Sequence, residues 1–208
     1  MLKKNKGLMI LTSVIILLPM VARILLWDSL PEVMPTHWGA NGQPDGWSSR
    51  PVTVFGMPLV LLALHWVCMW VTNRDRKNKG QSEKVMTLVM WLVPLVSLLG
   101  CGSTYAAALG RNVPTVSLVT PFLGVVLIIV GNYLPKCKQN RTIGIKIKWA
   151  LENEENWNAT HRLAGKLWVV GGLGILACGL LFASYLIPLL LAAVVLIPVI
   201  YSWRYSKR

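Results

Sequence analysis

Few side chains in this sequence could do chemistry, and they gather in two polar stretches. The first holds His37, Trp38, Asp45 and Trp47. A histidine and a carboxylate eight residues apart could form an acid/base pair or simply brace a turn. One His and one Asp are too few for a closed metal site, so no metal is assigned. The second stretch holds Asn140, Gly144, Lys146, Trp149, Glu154, Trp157, Thr160, His161 and Arg162. Glu154 with His161 could move a proton, but no nucleophile or metal ligand accompanies them. Cys137 there is a lone thiol between Lys136 and Lys138. The four cysteines are scattered with no CxxC pair, so neither a disulfide framework nor a metal centre is expected. No catalytic residue and no cofactor follow from these residues. His65 lies in an apolar run near Trp66 and Trp70. It could be a proton-linked switch, but one hydrogen bond between helices is the plainer reading.

The elements that must position these residues are membrane helices. The chain has 208 residues, 54% hydrophobic and only 14% charged, which points to an integral membrane protein. Six apolar runs approach the roughly 20 residues needed to cross a bilayer. They cover 8–27, 52–72, 85–109, 116–134, 164–183 and 185–203. Each contains, or lies beside, residues that a membrane helix tolerates, including Pro19, Pro94 and Pro121. Gly171, Gly172 and Gly174 would let the fifth helix pack closely. The fold class is therefore all-α: a polytopic membrane bundle of six helices.

A net charge of +13 would suggest nucleic acid in a soluble protein. Here the basic residues flank apolar runs, so topology explains them and no nucleic-acid partner is assigned. Lys3, Lys4 and Lys6 precede the first run; Arg74, Arg76, Lys77, Lys79 and Lys84 follow the second. Lys136, Lys138, Arg141, Lys146, Lys148, Arg162 and Lys166 follow the fourth, and Arg204, Lys207 and Arg208 end the chain. All fall on one side, against Arg23, Arg50 and Arg111 on the other, so both termini are expected in the cytoplasm. The first run is long and lacks a small-residue cleavage site, so it reads as a span rather than a cleaved signal. The expected divisions are 1–27, an outer loop 28–51, spans in 52–134, a cytoplasmic loop 135–163, and spans in 164–208.

In the outer loop, Asn41-Gly42 and Pro44-Asp45-Gly46 read as turns, with a short extended piece of Met34 and Thr36–Trp38. The tryptophans suit a headgroup layer, or a binding surface for a peptide or lipid-like partner. In the cytoplasmic loop, 142–147 reads as extended, with Gly144 at a turn or close approach. From Asn153 a helix begins with Glu154 and Glu155 in its first turn. Trp157, His161, Ala164 and Trp168 share one face of it, and Asn158 and Arg162 form a neighbouring polar row. This segment is expected to lie on the inner membrane face before bending into the fifth span. Its basic residues contact lipid headgroups, with docking of an acidic partner as a secondary role.

Two patterns carry a resemblance. Asn-x-Leu-Pro-Lys-x-Lys-x-Asn, Ile-Gly-Ile-Lys, and Glu-x-x-Trp-x-x-Thr-His-Arg-x-x-Gly, over 132–165, resemble the hallmark of the SdpI family of bacterial immunity membrane proteins. Leu30-Pro31, Met34-Pro35-Thr36-His37-Trp38 and Pro44-Asp45-Gly46-Trp47 look like the DUF1648 domain that occupies the first outer loop of such proteins. One departure is Lys148-Trp149-Ala150, where the family commonly has Pro-Trp-Thr, and Ala150 cannot cap the following helix. The resemblance implies a multi-pass protein of the bacterial plasma membrane that protects its host from a secreted toxic peptide. Some members also signal, by holding an ArsR-type repressor at the membrane when toxin is present. The residues themselves suit action by binding, with His37, Trp38, Asp45 and Trp47 toward the ligand and the residues singled out in 140–162 toward a cytoplasmic partner. Rival classes are a membrane-embedded, peptidase-like enzyme, which needs a nucleophile or metal cluster, and a small transporter, which favours inverted repeats and charged mid-span residues.

Overall fold

The computed structural model describes residues 5–39, 42–111, 115–181 and 184–208. Lys3, Lys4 and Asn41, which carry parts of the topology and turn expectations, lie outside them. The chain divides into two units, one of Met1–Val71 with Thr87–Val116 and one of Thr72–Met86 with Ser117–Arg208. Among the described residues, six helices are long and apolar enough to cross a membrane: Lys6–Ile24, Val52–Arg74, Glu83–Ala108, Leu118–Lys136, Glu154–Gly179 and Ile187–Tyr205. The protein is thus a multi-pass helical membrane protein.

The first unit contains helix α1 (Lys6–Ile24), the β-strands β1 (Val33–Trp38) and β2 (Pro44–Ser49), and most of α2 (Met57–Arg74) and α3 (Glu83–Ala108). A π-type turn over Val52–Gly56 leads into α2. Large apolar side chains such as Val14, Leu18, Val60 and Val67 point outward, which suits lipid rather than water. Apolar side chains such as Ile16, Met69 and Met90 are buried within this unit, and polar contacts join its helices. Thr12 Oγ1 lies 3.0 Å from His65 Nε2. Thr12 donates its own proton to the Leu8 carbonyl at 2.9 Å, so its oxygen accepts from the ring. This is the single helix–helix bond expected of His65. Trp66 Nε1 donates to Ser13 Oγ at 3.1 Å, and Ser97 Oγ donates to the Ile16 carbonyl at 3.0 Å.

The outer-loop stretch folds as an antiparallel hairpin. Gly42, at φ 77°, closes its tip, where the Gly39 N–H donates to the Gln43 carbonyl and the Gly42 N–H to the Gly39 carbonyl, both at 2.9 Å. Met34 is fully buried and anchors β1 in a core of Leu30, Val54, Cys101 and Tyr105. Pro44-Asp45-Gly46 is strand, not the turn its composition suggested. The reason is lateral. Gly46 faces His37 across the ladder, and a Cβ there would come within 2.8 Å of the His37 Cβ. Gly46 therefore supplies clearance between strands rather than a turn conformation.

The second unit contains α4 (Thr115–Tyr133), the short α5 (Lys148–Glu152), α6 (Glu154–Leu180) and α7 (Ile187–Tyr205). Glycines set the helix contacts. A Cβ on Gly172 would lie 2.5 Å from the Gly124 carbonyl, and one on Gly165 would lie 2.8 Å from the Gly131 carbonyl. Two crossing points between α4 and α6 thus need bare backbone. A Cβ on Gly171 would meet Val194 of α7 at 2.5 Å, so the glycine run expected to permit close packing does so.

Two expectations for this unit change. The amphipathic segment does not form a separate surface helix that bends into a span. It is the first part of α6, which runs unbroken for 27 residues. No proline or cap interrupts it, and Trp157, His161 and Ala164 are buried. Ala150 is not at a cap position but fully buried within α5. The cap is Asn153, whose side chain accepts the Asn156 N–H at 2.9 Å.

Candidate functional site

The hairpin carries all four candidate residues, of which His37, Asp45 and Trp47 are exposed and His37 meets Asp45. His37 Nδ1 lies 2.5 Å from Asp45 Oδ1, and both side chains are mostly in solvent. An exposed pair of this kind contributes about 0.2–1 kcal/mol, so it orients the two groups more than it holds the hairpin. Trp47 is 58% exposed and Trp38 is half-buried across from Pro44. Beneath them, Arg50 Nη1 donates to the Trp27 carbonyl at 2.8 Å, and its guanidinium stacks 4.8 Å from the centre of the Trp27 ring. The Arg23 guanidinium lies 4.6 Å from the centre of the Tyr105 ring. The result is an aromatic and polar surface over an apolar core.

The second candidate set is built in the opposite way. After α4, a single turn at Leu134–Lys136 delivers the chain into a loop organised by Asn140. Asn140 is fully buried. Its Oδ1 accepts the N–H groups of Thr142 at 2.8 Å and Ile143 at 2.6 Å. Its Nδ2 donates to the carbonyls of Lys138 at 2.8 Å and Ile143 at 2.9 Å. One side chain thus satisfies backbone groups that would otherwise be stranded.

Below that loop lie two rings. Trp157 and His161 stack with centroids 3.9 Å apart. Trp157 Nε1 donates to the Cys137 carbonyl at 2.8 Å. His161 Nε2 accepts the Ile145 N–H at 3.0 Å, so the ring is the neutral tautomer with its proton on Nδ1. That proton goes to the Trp157 carbonyl, 2.8 Å away. Both nitrogens are occupied, so His161 has no free lone pair for catalysis. Gly144 sits at φ 103° against the rings, and a Cβ would fall 2.5 Å from His161 Nε2. The glycine is required both for its conformation and for the space. Cys137 is buried here too, and burial pushes its thiol up to about 11, against a smaller lowering by Asn140. It is a packed side chain, not a nucleophile.

Of the residues singled out for partner binding, Asn140, Trp157, Thr160 and His161 are therefore interior. Lys146, Glu154 and Arg162 are exposed, and Gly144 and Trp149 are half-buried. Thr160 donates to Asn156 Oδ1 at 2.9 Å. Asn156 in turn exchanges hydrogen bonds with Ser202 of α7, donating to its carbonyl at 3.0 Å and accepting from its hydroxyl at 2.7 Å.

The short turn at Arg76–Gly80 and its flanks supply residues that sequence reasoning missed. Gln81 brackets Lys138, accepting its N–H at 3.0 Å and donating to its carbonyl at 2.6 Å. Asp75 accepts the Arg141 N–H at 2.7 Å, and Asn78 donates to Thr142 Oγ1 at 2.6 Å. The one available signal was the presence of Asp75, Asn78 and Gln81 in a stretch whose charges otherwise served only topology.

The comparisons follow the same division. Residues 136–202 match the profile of the SdpI/YfhL protein family, and residues 14–62 match DUF1648, a domain of unknown function. The Immunity protein SdpI of Bacillus subtilis (strain 168) is 29% identical over 214 aligned positions, covering 100% of this chain and 98% of that protein. No solved structure matches. The first match spans the loop, α5, α6 and most of α7, and the second spans the hairpin with parts of α1 and α2.

Proposed function

We propose that this chain is a membrane immunity protein that protects a bacterium from a secreted toxic peptide by binding. The observation that carries this reading is the end-to-end similarity to the Immunity protein SdpI of Bacillus subtilis. Both termini and the 73–84 and 135–163 segments face the cytoplasm in this reading, because the basic residues cluster there. The hairpin then lies outside, where His37, Trp38, Asp45 and Trp47 meet the peptide. Lys146 of the loop and Arg162 of α6 are among the exposed cations available to a cytoplasmic partner, such as an ArsR-type repressor, while the buried residues hold their shape. The exposed His37–Asp45 contact and the aromatic face support binding; His161, with both nitrogens occupied, supports no acid/base step.

The test is survival of a host lacking the chain, challenged with conditioned medium from the toxin-producing strain. Expression of the chain should restore growth. No gain in survival, with the protein present in the membrane at normal level, would refute the immunity reading. Orientation is tested separately. A membrane-impermeant thiol reagent should label Asp45→Cys in intact cells and reach Arg141→Cys only after permeabilisation; the reverse pattern would invert the topology.

A further inference from the structure

Two arginines of the first unit lie against aromatic rings, and they differ in what meets them. Arg50 stacks on Trp27 and also donates to the Trp27 carbonyl at 2.8 Å. Arg23 stacks on Tyr105, its guanidinium carbon 4.6 Å from the ring centre, but its Nε is buried with no hydrogen-bond partner. Among the described residues no carboxylate pairs with Arg23. The ring beneath it is in the same state. Tyr105 is 1% exposed, and its hydroxyl is buried without a hydrogen bond. Cys101, one turn back on α3, adjoins that hydroxyl, but a thiol is a weak partner and leaves it unsatisfied. The hydroxyl of Thr104, next in the chain, is buried and unpartnered as well. Leaving a buried donor unmet is costly, most of all on a cation.

The position of these groups narrows what could meet them. Arg23 lies in the last turn of α1 and Tyr105 in the last turn of α3, and their contact puts both helix ends at the same border of the bilayer. Helix side chains lean toward the N-terminus, so Arg23 leans back over Tyr105 instead of reaching outward into water. Val21 and Ile24, close to it on α1, are 51% and 48% exposed and face lipid. Phospholipid headgroups begin at the ends of the spans, so phosphate oxygens are the acceptors at hand there. The fixed fork of a guanidinium matches them.

We infer that Arg23 and Tyr105 hold the phosphate of an anionic phospholipid, Arg23 donating from its guanidinium and Tyr105 from its hydroxyl. Headgroup sites between membrane helices are built in this way, from a cation set between spans. A lipid is always present at this border, so it meets the cation whether or not any other ligand is bound. Its acyl chains then run beside Val21 and Ile24. Tyr105 also belongs to the core of Leu30, Met34, Val54 and Cys101 that anchors the hairpin, so the bound headgroup braces the hairpin's base. This site requires only the membrane-spanning fold and does not depend on the immunity reading.

The full-length protein, stripped of lipid in neutral detergent, is titrated with phosphatidylglycerol, with phosphatidylcholine and with inorganic phosphate. Bound lipid is counted by native mass spectrometry, and thermal unfolding is followed alongside. Phosphatidylglycerol should stay bound at one tight site and raise the melting temperature. Phosphatidylcholine, whose own cation offsets its phosphate, should bind about tenfold more weakly. Arg23→Gln should weaken phosphatidylglycerol binding about a hundredfold. Arg23→Lys, which keeps the charge and loses the fork, should weaken it about tenfold. Arg111→Gln, which removes an exposed cation elsewhere, should leave it unchanged. Equal retention of phosphatidylglycerol by the native chain and Arg23→Gln would overturn the proposal, as would equal affinity for the two lipids. Inorganic phosphate that raised the melting temperature as far as phosphatidylglycerol does would overturn the lipid as the source and assign the site to a free anion. Should Arg23→Gln fail to fold, Tyr105→Phe decides, because it keeps the ring and the stacked cation. It should bind phosphatidylglycerol about tenfold more weakly, and native affinity in that variant would overturn the proposal.

Discussion

The hairpin and the 136–147 loop are both polar segments between membrane helices, yet they are built inside out relative to each other. The hairpin keeps its apolar residues, Met34 above all, underneath and displays His37, Asp45 and Trp47. The loop keeps Asn140, Trp157 and His161 inside and displays its cations. In the hairpin, polar side chains are the surface, and the fold does not depend on them. In the loop, polar side chains are the framework, and losing one strands the backbone groups they satisfy. The same residue types therefore carry different work in the two places, and substitution separates them.

The largest expected effect is in the loop. Trp157→Ala removes a fully buried ring and the bond to the Cys137 carbonyl, and should cost about 3–5 kcal/mol. The measurement is thermal unfolding in detergent, with thiol labelling of Cys137 alongside. In the native protein the buried thiol, pushed up to about 11, should label slowly at neutral pH. In the variant it should label readily, and slow labelling there would mean that the loop does not rest on Trp157. Gly144→Ala comes next, at about 1–3 kcal/mol, because the new Cβ meets His161 while the backbone is held at positive φ. Asn140→Ala should cost a similar 1–3 kcal/mol, roughly the penalty of leaving buried N–H groups unpaired. Retention of native melting by either variant would show that the loop has another support.

The smallest stability effect is in the hairpin. Asp45→Asn should shift unfolding by less than about 1 kcal/mol, because the pair it breaks is exposed. The contrast with Asn140→Ala is the sharp form of the comparison. Equal destabilisation by the two would erase the difference between the regions.

Much of the membrane architecture was legible in the sequence, because six apolar runs have few alternatives in a bilayer. The close packing at Gly171 and Gly172, and the partnered His65, were legible for the same reason. The extended piece through Thr36–Trp38 was legible and lies in β1, but β2 was not, because Pro44-Asp45-Gly46 has turn composition and its glycine serves a contact across the ladder. The division of the loop residues into framework and surface was not legible either. It depends on partners distant in sequence, such as Thr142 for Asn78 and Ser202 for Asn156. A pattern read along one segment shows which residues are unusual, but not whether they face inward.

The central claim is that the hairpin surface recognises the ligand while the loop surface serves the cytoplasmic side. Its most direct test is survival in toxin-containing medium of cells expressing Trp38→Ala/Trp47→Ala, beside cells expressing Lys146→Ala/Arg162→Ala at equal membrane level. The account predicts that the hairpin pair loses protection and the loop pair keeps it. Full protection by the hairpin pair, or loss of protection by the loop pair as complete as deletion of the protein, would contradict it.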